Sequence, residues 1–159
     1  MEALLNAGAD LEATDASKRT TLHVAANERW EADKDVLVMK LIDSGATPDK
    51  KASNGITALH TAAEWGNVKS FQHLINAGWD PHLLDRQKRD VLHHAVRKTS
   101  LHGGRNPSRA PMVREIIGNF LPAEKKQERL STAYATIQTM TLDDREKQSL
   151  LKIINDELK

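Results

Sequence analysis

The sequence predicts an all-α solenoid, in which short helix pairs stack side by side and are joined by turns and exposed fingers. Three observations predict it: an internal repeat, apolar residues at helical spacing within each repeat, and a scarcity of aromatic residues. Only 4% of the 159 residues are aromatic. The core must therefore consist mainly of Leu, Ile, Val and Ala, which suits closely packed helices.

Two independent landmarks define the repeat. The segment TTLHVAA returns as TALHTAA and, less faithfully, as DVLHHAV, and the leucines of the three copies are Leu22, Leu59 and Leu92. Their separations of 37 and 33 residues are also those of the glycines in NAGAD, DSGAT and NAGWD. Because unrelated landmarks share one period, the chain is interpreted as an array of repeats.

Each repeat is predicted to contain a helix pair. In the second repeat, apolar residues at helical spacing surround Leu59 and again Phe71, and Gly66 with Asn67 predicts a turn between the two helices. Helices shorter than about 12 residues are marginal alone, so each must bury its apolar stripe on its neighbours. Gly78 is expected to end the second helix with a positive φ angle.

These motifs resemble those of the ankyrin-repeat family, which has a repeat of about 33 residues, a Thr-Pro-Leu-His signature and a Gly-Ala-Asp turn. None of the three copies keeps the proline. The resemblance implies an ankyrin-repeat solenoid that serves as a non-catalytic protein-binding scaffold and contacts a partner through its concave face and fingers. It also implies a structural role for His23, His60 and His93, which share one repeat position.

The predicted domain organisation is an array followed by a helical cap. The array is assigned to residues 1–121, with a truncated first repeat at 1–13 and further repeats at about 14–50, 51–83 and 84–121. The truncated repeat predicts either a longer parent protein or a weakly ordered first turn. Residues 122–159 are interpreted as a degenerate repeat or capping hairpin, with a separate partner-binding helix pair as the alternative.

No pattern in the chain favours catalysis. The absence of cysteine excludes a disulfide framework, a cysteine-based zinc site and a thiol nucleophile. The histidines outside the repeat position lack the HxxxH and HExxH spacings of zinc sites, and neither a GxSxG elbow nor a phosphate-binding glycine loop occurs. The sequence predicts no enzyme activity, cofactor, metal or small-molecule substrate.

Membrane insertion is not expected either. No apolar run approaches the roughly 18 residues that span a bilayer, and the N-terminal MEALLNAGAD lacks the charge and apolar stretch of a signal peptide. We expect an intracellular, cytoplasmic protein, with a secreted effector delivered into a host cell as the alternative.

Positive charge is concentrated in one part of the chain. The formal net charge is +1, but residues 85–114 contain eight basic and two acidic residues. The resemblance places five of these bases on a finger and at the exposed end of an inner helix: Arg86, Lys88, Arg89, Arg97 and Lys98. One interpretation is a solvated face; the other is an edge that attracts a protein partner with an acidic surface. Nucleic acid is disfavoured because no aromatics interleave with the bases.

The resemblance assigns further partner-binding positions to the earlier repeats. They are Arg19, Asn27 and Glu28 in the first repeat, and Ser53, Glu64 and Trp65 in the second. Trp65 is predicted to face the concave side, either as a binding hot spot or packed flat over a helix. Trp30 and Trp79 are each expected to be a packing lid or a contact.

A second function is compatible with the sequence. Residues 99–111, TSLHGGRNPSRAP, interrupt the third repeat with two glycines and two prolines. In this alternative the protein is an inhibitor or accessory subunit whose basic loop blocks an acidic cleft of a partner enzyme. A scaffold should lose binding when Trp65 or the finger is altered, whereas an inhibitor should fail when the loop is shortened.

Overall fold

The computed structural model describes residues 8–27, 34–47, 49–97, 109–121, 123–140, 142 and 144–159. These residues form eight α-helices and a short 3-10 helix at Ala123–Lys125, and they contain no β-strand. The helices are α1 (Thr21–Ala25), α2 (Lys34–Asp43), α3 (Ala58–Trp65), α4 (Val68–Asn76), α5 (Val91–Val96), α6 (Ala110–Phe120), α7 (Lys126–Thr139) and α8 (Asp144–Leu158). Among them, none is long and apolar enough to cross a membrane.

The helices form two layers. The inner layer contains α1, α3, α5 and α7, each packed on the next, and the outer layer contains α2, α4, α6 and α8 in the same order. Each outer helix also packs on the inner helix of its own pair. This arrangement confirms the predicted all-α solenoid of stacked helix pairs. The last pair continues both layers, because α7 contacts α5 and α8 contacts α6.

A threonine and a histidine three residues later begin the first two inner helices. The backbone N–H and the hydroxyl of Thr57 lie 3.3 Å and 2.8 Å from Nδ1 of His60. Thr20 and His23 repeat this capping box, with distances of 3.2 Å and 2.9 Å. Each box satisfies polar groups at a helix start that would otherwise lose hydrogen bonds on burial. The structural role predicted for these two histidines is confirmed.

Small and branched apolar side chains fill the space between the layers. Ala62 and Ala63 are fully buried and let α3 approach its neighbours closely, while Phe71 and Leu74 of α4 fill the outer side of the interface. Trp79 is only 4% exposed and belongs to the same core, so it is a packing lid.

Three fingers precede the inner helices: finger 1 (residues 14–20), finger 2 (51–57) and finger 3 (84–90). Backbone hydrogen bonds join them, with the N–H of Ser53 donating to Ser17 O at 2.9 Å and that of Arg86 to Asn54 O at 3.0 Å. Gly55 has a φ of 81°, and a Cβ atom there would lie 2.8 Å from the backbone N of Arg86. The close approach of the fingers therefore requires glycine at this position.

A buried ion pair attaches the last helix pair to the third repeat. Arg129 of α7 places Nη1 2.9 Å from Oδ2 of Asp90, whose side chain is 2% exposed. Asp90 also accepts hydrogen bonds from the backbone N and Nδ1 of His93, at 2.9 Å and 2.7 Å. Burial alone would raise the pKa of Asp90, but these bonds and the charge of Arg129 hold it below the usual value. Asp90 thus caps helix α5 and also attaches the last helix pair to the third repeat.

Candidate partner-binding groove

A groove of about 450 Å³ lies on the finger side of the first two repeats. Fingers 1 and 2 form one part of its wall, and helices α1 and α3 with their ends form the other. The lining residues are Ser17, Arg19, His23, Asn27, Ala52, Ser53, Asn54, Ile56, Thr61, Glu64 and Trp65. The structure therefore brings together five residues that the sequence assigned to partner binding: Arg19, Asn27, Ser53, Glu64 and Trp65.

Arg19 is held within its own finger. Its Nη2 lies 2.7 Å from Oδ2 of Asp15, and its Nε donates to the same oxygen at 2.8 Å. The backbone N–H of Arg19 and its guanidinium hold the pKa of Asp15 below the usual value. The positive charge that Arg19 brings to the groove is thus balanced by a neighbouring carboxylate.

His23 links the groove wall to the second finger. Its Nε2 donates to the carbonyl of Ile56 at 3.0 Å, while its Nδ1 is occupied by the helix cap. Burial lowers the pKa of His23, so the ring is neutral near pH 7. His23 therefore forms part of the groove wall and adds no charge to it.

Glu64 and Trp65 form the end of the groove, in the last turn of α3. The side chain of Glu64 is 18% exposed, and its Oε2 lies 3.8 Å from Nδ1 of His94. Trp65 is half-buried and is the last helical residue, because Gly66 follows with a left-handed φ of 71°. A carboxylate and an indole therefore both line this end of the groove.

A network of charged and polar side chains lies behind Glu64. His94 is 1% exposed, and its Nε2 lies 3.1 Å from Oδ2 of Asp85, which is fully buried. Arg89 places Nη2 2.7 Å from the same oxygen. Burial would raise the pKa of Asp85, but hydrogen bonds from Arg89, His94 and Gln87 hold it well below its usual range. The network connects the groove to finger 3.

The predicted basic edge divides into free and paired residues. Arg86, Lys88 and Arg97 are exposed, and Lys88 has a φ of 58° in the turn of finger 3. Arg89, expected among the bases that meet a partner, instead has its guanidinium bound to Asp85. Lys98, Glu28 and Trp30 lie outside the described residues.

Arg109 belongs to the interior. It is 2% exposed, its Nη1 donates to Val96 O at 3.3 Å, and its Nε lies 3.9 Å from Oε1 of Glu146 in α8. Burial lowers its pKa, and the nearby charges of Glu146 and Glu64 oppose that effect. Its charge therefore does not contribute to an exposed basic loop, although the neighbouring residues 98–108 lie outside the described ranges.

Sequence reasoning missed the acidic partners of the fingers. Asp15 and Asp85 hold Arg19 and Arg89 through equivalent contacts, and the segments DASKR and DRQKR show the shared spacing. An Asp four residues before an Arg in two corresponding fingers was the signal that could have predicted both pairs. Within the part of the chain that the structure describes, no three His, Asp or Glu side chains are grouped to hold a metal ion.

Comparisons with known proteins agree with this architecture. The family description "Ankyrin repeats (3 copies)" matches residues 1–76 and 30–105. The Ankyrin repeat and KH domain-containing protein mask-1 of Caenorhabditis elegans is 32% identical over 97 residues, which is 60% of this chain. The chain spans 4% of the length of that relative. Ankyrin repeats are generally protein-interaction modules and are typically non-catalytic, and this chain belongs to the ankyrin-repeat family.

Proposed function

We propose that this chain is a non-catalytic scaffold that binds a segment of a partner protein in the groove between its first two repeats. The observation that carries the proposal is the convergence on one groove of five candidate residues from two fingers, from inner helix α3 and from the segment that follows inner helix α1. The groove has a partly exposed aromatic residue, a feature that is frequent among binding hot spots.

The rigidity of the groove favours tight binding. Its finger wall is fixed by the hydrogen bond from Ser53 to Ser17, and its helix wall is fixed by the caps of His23 and His60. Little conformational entropy is then lost when a partner docks, since the contacting backbone is already ordered.

The exposed bases of finger 3 extend the proposed interface. The backbone N–H of Arg86 donates to Asn54 O, and Asn54 lines the groove, so finger 3 adjoins the groove through finger 2. Arg86 and Lys88 would attract acidic residues of the partner and accelerate association at low salt. We propose that this takes place inside the cell; fractionation of cells that express the tagged chain tests the location.

Affinity capture from a cell extract tests the function. The intact chain is compared with Trp65→Ala, with Arg86→Glu/Lys88→Glu, and with the control Arg114→Glu/Lys152→Glu, which makes the same charge change on outer helices. We expect the intact chain and the control to capture the same protein. Trp65→Ala should weaken capture about tenfold or more, and the finger variant should lose the salt-sensitive part of binding.

Two outcomes would contradict the proposal. Equal capture by all four chains would exclude the groove and finger as the interface. Loss of capture when residues 102–108 are shortened, with capture by Trp65→Ala unchanged, would favour the loop-blocking inhibitor instead. Circular dichroism of each variant establishes that the fold is retained.

A further inference from the structure

Glu64 gives the groove a carboxylate that a partner can reach, and nearby groups neutralise its negative charge only in part. We propose that the groove takes a basic side chain, Lys or Arg, of an extended partner segment and holds it between the Glu64 carboxylate and the Trp65 indole. This inference rests on the proposed function, because it specifies the chemistry of the residue that the partner places in the same groove.

Charge along the groove favours a cation. Of the titratable side chains that line it, Arg19 is paired with Asp15 at 2.7 Å, and His23 is neutral because burial lowers its pKa. Glu64 is the third, and its side chain keeps 18% of its surface exposed. The groove therefore presents one negative charge to an incoming segment.

The groups behind Glu64 balance this charge only in part. His94 Nδ1 is 3.8 Å from Glu64 Oε2, too long for a hydrogen bond, and the other ring nitrogen of His94 is engaged by Asp85. The buried guanidinium of Arg109 interacts with the charge of Glu64 without forming an ion pair with it. It donates to the backbone carbonyl of Val96 and lies 3.9 Å from Glu146. Throughout the described ranges, no Lys or Arg side chain forms an ion pair with Glu64. A cationic side chain of the partner would neutralise the remaining negative charge of Glu64.

Trp65 adds selectivity for a cation. An ammonium or guanidinium group is attracted to the face of an indole, most strongly where water is partly excluded. Glu64 would repel an acidic side chain at the same place, so the two neighbouring residues favour the same occupant. Arginine fits best, because its planar guanidinium can stack on the ring and donate to the carboxylate together.

The position of Glu64 also orients the partner. Glu64 lies six residues beyond Ala58, the first residue of α3, which places it about 9 Å along the helix from the finger. An extended chain covers that distance in about three residues. With Arg86 and Lys88 exposed on finger 3, the partner segment is expected to have an acidic residue on the finger side of its basic residue.

A titration with matched peptides tests the cation preference. The full chain, labelled with ¹⁵N, is titrated with Ac-Gly-Arg-Gly-NH₂ and with the neutral isostere Ac-Gly-citrulline-Gly-NH₂. The readout is the indole N–H resonance of Trp65, identified by its absence from Trp65→Phe. We expect the arginine peptide to shift this resonance saturably with a Kd in the millimolar range, and the citrulline peptide to bind about tenfold more weakly.

Two variants locate the charge. Glu64→Gln should reduce affinity for the arginine peptide to that of the citrulline peptide, whereas Glu115→Gln, which alters a carboxylate of outer helix α6, should bind like the intact chain. Equal affinities for the two peptides, unchanged binding by Glu64→Gln, or no shift of the indole would each overturn the cation site. If the peptides fail while Trp65→Ala still loses the captured protein, the proposed function stands and only the cation preference is wrong.

Discussion

His60 makes the stability of the repeat array dependent on pH. The ring is fully buried beside His94, with a ring-centroid distance of 5.0 Å, and burial lowers its pKa from the ordinary 6.5 to about 4. The charge of His94 lowers it further, while Asp85 and the backbone carbonyls of Arg89 and Leu83 oppose the effect. The unfolded chain therefore binds a proton near pH 6.5, whereas the folded chain does so only near pH 4.

The direction of the effect follows from this difference. Between these two values the unfolded state binds more protons, so the free energy of unfolding falls as the pH is lowered. From pH 7 to pH 5 the loss from His60 alone is about 2 kcal/mol. The lowered pKa values of Asp85 and Asp90 also favour the folded state, but their contribution is lost only below the unfolded carboxyl value of 3.8. Burial raises the pKa of Asp49, so the contribution of His60 is isolated by comparison with a variant that lacks this histidine and not by the pH window alone.

Thermal unfolding of the intact chain and of His60→Gln at pH 7 and pH 5 measures this contribution. The variant removes a helix cap and will be less stable at both values, so the comparison is the change with pH. The melting temperature of the intact chain should fall by roughly 4 to 8 °C more than that of the variant. His82→Gln, which removes an exposed histidine, is the matched control. Parallel pH dependence in the intact chain and His60→Gln would refute the reasoning.

Two further stability predictions come from the fingers and the last helix pair, and chemical denaturation measures both. Gly55→Ala and Gly78→Ala each place a side chain at positive φ, but only at Gly55 would the new Cβ meet a neighbouring finger. Gly55→Ala should therefore lower the free energy of unfolding by at least roughly 1 kcal/mol more than Gly78→Ala. Equal losses of stability would contradict the close approach of the fingers. Arg129→Ala leaves the buried Asp90 carboxylate without its guanidinium and should cost about 2 kcal/mol. Lys126→Ala, which removes an exposed ion pair of the same helix, should cost less than about 1 kcal/mol, and equal effects of the two would exclude a special role for the buried pair.

The fold was predictable because its signals are local and repeated. The Thr-x-x-His boxes begin helices within a single turn, and Gly78 has the expected positive φ of 89°. Ala62 and Ala63 likewise predicted close helix packing without knowledge of the partners. Because each repeat packs its helices in the same way, the pattern of one repeat predicts the packing of the whole array.

The candidate site was predictable only in part. The positions of Glu64 and Trp65 on the groove follow from their repeat register, which the resemblance supplied. The burial of Arg109 depends on packing against Val96 and Glu146, which are far apart in sequence, and no local pattern indicates it. The pairing of Arg89 with Asp85 depends on the finger turn, which a count of basic residues ignores.

Hydrogen–deuterium exchange of the chain with and without its captured partner tests the central claim most directly. A partner seated in the groove should slow exchange in finger 2, in the last turn of α3 around Trp65 and in finger 3, and leave the outer helices α4, α6 and α8 unchanged. Protection confined to the outer helices would contradict a groove-binding scaffold.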